Sequence, residues 1–233
     1  MEYSRKNILM ELEEKIGVKF ENKNLLEIAL THSSYVNHKK NTKFNERLEF
    51  LGDAVLELTI SEYLFKEYNK KDEGDLTKIR ALIVCENSLY QIAKKWELGK
   101  YINMSKGEEL TGGRTRVSIL SDCVEAIIAA IYLDKGFECA KEFIVCTFDE
   151  NIKKAVNNEI ILDYKTKLQE DIQQRGEISI MYNLVKHEGP PHRRKFYVDV
   201  IVDDKILGNG NGYSKKEAEQ NAAKKALKEI GGK

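Results

Sequence analysis

The stretch Asn45-Glu46-Arg47-Leu48-Glu49-Phe50-Leu51-Gly52-Asp53-Ala54-Val55-Leu56 runs without a break into Glu57–Phe65. It constrains the fold more than any other part of the chain. At 100° per residue, Leu48, Leu51, Val55 and Leu58 share one face of a single long helix. The opposite face mixes Glu46, Glu49 and Asp53 with Leu56, Ile60 and Leu64. A helix that is apolar nearly all round is expected to be buried. An unpaired buried carboxylate costs several kcal/mol or gives up its charge. Glu49 and Asp53, at i and i+4, project the same way one turn apart. Acids in that position call for cations.

A second stretch has the same character. Ser118–Leu133 carries acids only at Asp122 and Glu125, at i and i+3, with Ile119, Ala126 and Ala129 on the same side. Leu120, Val124, Ile127 and Ile131 fill the other side, so this helix is also expected to be buried. The small alanines beside the acids let a neighbouring helix approach. Packed together, the two helices would gather four carboxylates. No His or Cys stands at ligand spacing near them except Cys123, which points about 100° away from Asp122. An all-oxygen site of this kind suits Mg²⁺ or Mn²⁺ rather than zinc. Charged residues on a helix are ordinarily a solvated face, but matched acids on two apolar helices argue against that here. A di-iron carboxylate bundle needs Glu-x-x-His pairs, and neither helix has one.

On these residues the chain resembles the ribonuclease III family. Asn45–Leu56 is similar to the family signature, and Glu73-Gly74-Asp75-Leu76 and Ser118–Ala126 fall at its further motifs. Thr31-His32-Ser33-Ser34-Tyr35 resembles another. The resemblance implies a homodimeric, divalent-metal-dependent endonuclease that cuts double-stranded RNA in the processing of rRNA and other transcripts. Its products would carry 5′-phosphate and 3′-hydroxyl ends. Glu49, Asp53, Asp122 and Glu125 would be the catalytic metal ligands, served by Mg²⁺ with Mn²⁺ able to substitute. Glu46 and Glu73 would be auxiliary acids lining the RNA valley. Phe50 would plug into the partner subunit. A lone His beside a helix end, as His32 is, reads first as a structural hydrogen-bonder.

The rest of the first 155 residues is expected to be helical. Helical spacing marks Asn7–Ile16, Glu21–Leu30, Leu76–Val84 with Asp75 as N-cap, Asn87–Trp96 and Phe137–Lys154. Met104–Arg116 reads as a flexible Gly- and Arg-rich connection, with Arg114 and Arg116 as weaker candidates for RNA or dimer contacts. The four cysteines form no Cys-x-x-Cys pair, and three sit in apolar helical patterns, as buried free thiols would. The longest apolar run, Ala126–Leu133, is too short to span a bilayer, and Met1–Arg5 has no signal-peptide core. The expectation is a cytoplasmic protein with no membrane partner.

The pattern changes after a short polar linker, residues 156–162. Asp163–Arg175 reads as a helix closed by Gly176, Ile178–Leu184 as a strand, and Phe196–Val202 as a strand of period two. Lys205–Gly208 reads as a third strand, Gly208–Gly212 as a turn, and Ser214 as the cap of a final helix. The fold class is therefore an all-α N-terminal endonuclease domain, residues 1–155, followed by an α+β (α-β-β-β-α) domain, residues 163–233. Lys215 and Lys216 occupy the first turn of the last helix, where the dipole prefers acids. Phosphate binding at that helix end would account for them, and so would a basic solvated helix end. The segment Asp163–Lys228 resembles a double-stranded-RNA-binding domain. That resemblance implies RNA contacts from Lys165, Gln169 and Glu170 on the first helix, His192 in the proline loop, and Ser214, Lys215 and Lys216. Such domains read A-form shape rather than sequence. The acids and basic residues number 38 each, so any basic RNA-binding surface must be local.

Overall fold

The computed structural model describes residues 5–36, 43–157, 164–174, 179–190 and 193–231. They fall into two compact units, Met1–Ile160 and Ile161–Lys233.

The first unit is built from helices α1 (Arg5–Ile16), α2 (Lys23–Ala29), α3 (Ser33–Val36), α4 (Glu46–Glu67), α5 (Glu73–Val84), α6 (Glu86–Lys95), α7 (Lys106–Leu110), α8 (Val117–Lys135) and α9 (Phe137–Val156). Among the described residues its one extended pairing is an isolated parallel bridge between Thr31 and Asn103. Helix α8 is the axis of the unit. Ile119, Leu120, Cys123, Val124 and the run Ala126–Ile131 are all buried, and α2, α4, α6 and α9 pack around it. Helix α4 packs against α8 and buries Leu48, Val55, Leu56, Ile60 and Leu64.

Helix α4 is nevertheless less buried than its composition suggests. Phe50, Leu58 and Phe65 stand 81%, 58% and 72% exposed. Burying such side chains is worth roughly 1.5–3 kcal/mol each, so three left in water on one helix need a reason. Three other readings also change. Asp72, not Asp75, caps α5: its carboxylate accepts the Asp75 amide at 2.8 Å, while Asp75 sits inside the first turn, where the dipole favours an acid. Residues 104–116 contain α7 and a 3₁₀ turn in place of a flexible connection. Arg114 pins them by donating to the carbonyls of Gly99 at 2.6 Å and Ile102 at 3.1 Å and to Glu109 at 2.6 Å. All four cysteines are free, but only Cys123 is buried and Cys146 is exposed.

The second unit has helix α10 (Tyr164–Gln173), strands β1 (Ile180–Glu188), β2 (Lys195–Val202) and β3 (Lys205–Gly212), and helix α11 (Lys215–Gly231). The sheet is antiparallel in the order β1-β2-β3, with Val200 opposite Tyr182 on one side and Gly208 on the other. Asp203 and Asp204 both take positive φ, 51° and 61°, which suits the tight turn of a two-residue hairpin. Val198, Val200 and Val202 meet Leu168 and Ile172 of α10 and Ala218, Ala222, Ala223 and Ala226 of α11. Helix α9 runs through Val156, one residue into the segment read as a linker. Residues 158–163 and the proposed helix stop at Gly176 lie outside the described residues. No described helix is long and apolar enough to cross a membrane.

The run Gly208–Gly212 is strand, not turn. A Cβ at Gly208 would collide with the backbone of Ala222 and Ala226, and one at Gly210 with that of Ala218 and Ala222. The glycines therefore let α11 lie directly on β3, the close backbone approach that glycine in a strand signals. Gly210→Ala is expected to destabilise the second unit by about 2 kcal/mol, read as a lower denaturant midpoint for the sheet in a hydrogen-exchange or denaturation series. A midpoint unchanged from wild type would mean α11 can shift away without cost.

Candidate active site

The helix pair α4–α8 brings the predicted acids together. Gly52 marks the crossing point, because a Cβ there would overlap the carbonyl of Glu125. A glycine inside a helix costs about 1 kcal/mol relative to alanine. Here it lets the two backbones touch where the acids project. Carboxylate oxygens of Glu49, Asp122 and Glu125 lie within 4.8 Å of one another, and all three residues are half-buried. Asp53 stands outside this triad. It is exposed, yet close enough to raise the pKa of both Glu125 and Glu49 by repulsion.

Burial, then the charges of Asp53, Asp122 and Glu49, push the Glu125 carboxyl up to about 8. Burial also raises Glu49, reinforced by Asp122, Glu46 and Asp53. Asp122 is raised by burial and then by Glu86, against smaller lowering from His32 and its own backbone amide. Among the described residues no lysine or arginine answers any of the three. Acids held at such spacing without a counter-charge are the complement of a cation. The donor set is all oxygen, of the kind hard divalent ions take.

The remaining predicted residues fall elsewhere. Glu46 is exposed in the first turn of α4 and acts on Glu49 only through its charge. Glu73 opens α5, is exposed and accepts from the Thr77 hydroxyl at 3.2 Å. Phe50 projects into solvent from α4. Arg116 is spent within the chain, on Glu108 and Thr111, as Arg114 is on the 99–109 segment. Glu86, at the start of α6, escaped the sequence reading, and His32 was read only as a structural hydrogen-bonder; both are felt by Asp122. Their positions in the chain carry no periodic signal. Gly52 did carry one, since a glycine mid-helix points to a close approach.

A family model described as ribonuclease-III-like matches residues 22–152, and a double-stranded RNA binding motif matches residues 164–230. The chain belongs to the ribonuclease III family. It is 62% identical to ribonuclease 3 of Clostridium perfringens over 96% of this chain and 94% of that one. With ribonuclease 3 of Clostridium tetani it shares 65% identity over 95% and 94%. The nuclease domain of ribonuclease III from Campylobacter jejuni superposes with a TM-score of 0.57 at 50% identity, covering 60% of this chain and 96% of that domain. That structure was described for flexibility in a region involved in dimer formation.

In the second unit of this ribonuclease III relative, the candidate RNA contacts differ in how free they are. Lys215 and Lys216 are exposed in the first turn of α11 and make no ion pair among the described residues. Ser214 caps α11: its Oγ accepts the Glu217 amide at 3.1 Å, and the Glu217 carboxylate reaches back to accept the Tyr213 amide, one residue before the cap, at 2.7 Å. Gln169 and Glu170 are exposed on α10. Lys165 is not free. Its Nζ pairs with Glu219 at 2.6 Å and lies 4.6 Å from the Tyr182 ring centre, tying α10 to α11 and β1. His192 lies outside the described residues.

The raised Glu125 pKa fixes a sign for stability. The fold disfavours the ionised form, so the stability associated with this group is complete below its unfolded value near 4.5 and is lost as pH rises through about 8. With chelator present, the thermal midpoint of the whole chain should fall between pH 5 and pH 9, and Glu125→Gln should flatten that slope by about 1 kcal/mol, after discounting for solvent screening. Scanning calorimetry at several pH values checks it. An equal slope in both proteins would count against the burial of Glu125 beside the other acids.

Proposed function

We infer that this protein is an endoribonuclease that hydrolyses phosphodiester bonds in double-stranded RNA, leaving 5′-phosphate and 3′-hydroxyl ends. The convergence of Glu49, Asp122 and Glu125 at the α4–α8 crossing carries this reading. Those three, with Asp53 at the rim, hold Mg²⁺, or Mn²⁺ in its place. A divalent cation bound there supplies Lewis acidity to the phosphodiester and to its attacking water. The acids bind and orient it. Glu125, whose carboxyl burial holds protonated to higher pH, would give up that proton to a bound cation's charge. No side chain is needed as a covalent nucleophile.

Division of labour between the two units follows from charge. A carboxylate cluster repels RNA, so affinity comes from the second unit. There Lys215, Lys216, the Ser214-capped end of α11 and the exposed Gln169 and Glu170 meet phosphates and sugars. His192 contributes from the proline loop and Lys165 after release from Glu219. Residues 156–162 act as the tether that raises the local concentration of duplex at the acids. Glu46 and Glu73 line the approach. The exposed Phe50, Leu58 and Phe65 are accounted for by a second copy of the chain, with Phe50 as the plug and the pair of sites cutting opposite strands. The setting is cytoplasmic, on rRNA and other transcripts.

Wild type with Mg²⁺ should cut a long RNA duplex. Glu125→Gln should bind it with unchanged affinity while cleavage falls by about 10³-fold or more. Wild type that binds but never cleaves would instead make this a non-catalytic duplex-RNA binder. For the dimer, Phe50→Asp should shift sedimentation from a two-chain to a one-chain species at micromolar concentration. An unmoved sedimentation coefficient would remove Phe50 from the interface.

A further inference from the structure

His32 sits where both acid-bearing helices meet the rest of the catalytic unit. Its amide donates to the Asn103 carbonyl at 3.0 Å. The Thr31 carbonyl accepts at 2.9 Å from Asn45, the residue that opens α4. Two residues earlier, the Ala29 carbonyl accepts from the Cys123 thiol of α8 at 3.5 Å, next to Asp122. The backbone around His32 is thus tied to both helices.

The side chain is fixed as well. The Ser34 amide, which can only donate, lies 3.2 Å from His32 Nδ1. Nδ1 therefore presents its lone pair, and the neutral ring carries its proton on Nε2. Ser34 Oγ is 2.8 Å from the same Nδ1 and itself accepts from the Ser105 amide at 3.0 Å. Its own hydrogen is then left for Nδ1. Two segments of chain, 32–34 and 103–105, select one tautomer. Among the described residues nothing accepts the Nε2 hydrogen. Asp122 senses the imidazole without forming an ion pair with it. An N–H donor on a half-buried ring, held still within reach of the Asp122 charge and without a partner among the described residues, suits an anionic oxygen that the carboxylates alone would repel.

We propose that His32 donates from Nε2 to a non-bridging phosphate oxygen of the RNA strand at the acid cluster, positioning the substrate for cleavage. This rests on the reading that the acids hold a divalent cation and that the scissile strand enters there. The rival is a purely local role, in which Nδ1 caps the turn at Ser34 and the rest of the ring is idle. Glutamine and asparagine separate the two. Glutamine can place an amide N–H near the position of Nε2. Asparagine can place an acceptor near Nδ1 for the Ser34 amide but offers no donor further out.

The full chain carrying His32→Gln, His32→Asn or His32→Ala would be tested for Mn²⁺ affinity without RNA, by electron paramagnetic resonance. Single-turnover cleavage of saturating RNA duplex in Mg²⁺ would be measured alongside. Mn²⁺ affinity is expected to stay within about twofold of wild type in all three. Cleavage is expected to fall about tenfold in the Asn and Ala variants and to stay within about threefold of wild type in the Gln variant, the scale of one hydrogen bond to a charged group. If Asn matches wild type while Gln fails, the ring only caps its turn and the proposal is overturned. Undiminished cleavage in all three overturns it too, and so does a tenfold loss of Mn²⁺ affinity in the Asn and Ala variants, which would make His32 a support for the ligands. Should Ala fail to fold, the Gln and Asn pair still decides. Wild type that takes up no Mn²⁺ would instead overturn the reading of the acid cluster, and this proposal with it.

Discussion

The contact between Gly52 of α4 and the Glu125 carbonyl of α8 is the constraint on which the site depends. Close backbone approach at one point on two long helices fixes their relative rotation. Glu49, one turn before Gly52, and Asp122 and Glu125 on α8 then have little choice but to face one another. The core exists to hold that crossing. Helix α8 is surrounded on most sides by apolar side chains, so it cannot roll to move its acids into water. The cost of burying these acids, and their repulsion, is therefore stored in the fold rather than relaxed; burial first and neighbouring negative charge second raise their carboxyl pKa values.

The second unit uses the same device for a different end. Gly208 and Gly210 let α11 press against β3, and small alanines on α11 complete the contact. That contact sets the direction of the helix, and hence where its first turn, with Ser214, Lys215 and Lys216, is presented. Lysines in a helix's first turn are mildly unfavourable for the helix itself. Here the Ser214 cap and the Glu217 carboxylate that accepts the Tyr213 amide compensate, leaving both ammonium groups unpaired among the described residues. Lys165, which the sequence offers as an equal partner, is instead neutralised by Glu219. Free and paired lysines look alike in a sequence because the pairing spans 54 residues.

Much of the architecture was legible from the chain. The order of the longer elements, the change of pattern between the two units and the placing of the acids on two largely apolar helices all follow from local periodicity. The readings that changed share one cause. The Gly208–Gly212 run looks like a turn because glycine permits turns, yet a helix that could not be seen in the strand's own residues keeps it extended. The segment 104–116 looks loose because it is rich in glycine and charge, yet Arg114 finds carbonyls at Gly99 and Ile102. Phe50, Leu58 and Phe65 look like core because apolar residues are usually buried, yet among the described residues all three stand exposed.

The sequence by itself determined which helices are apolar, where the acids fall on them, and that the two units differ in kind, because 3.6- and 2-residue periods are local properties of the chain. Only the tertiary structure decided that Glu49, Asp122 and Glu125 form the close triad while Asp53 stays at its rim, that Glu86 and His32 flank Asp122, and which lysines are free. Those are distances between segments far apart in the chain. They depend on how deeply two helices interpenetrate at Gly52, and periodicity within either helix carries no measure of that depth.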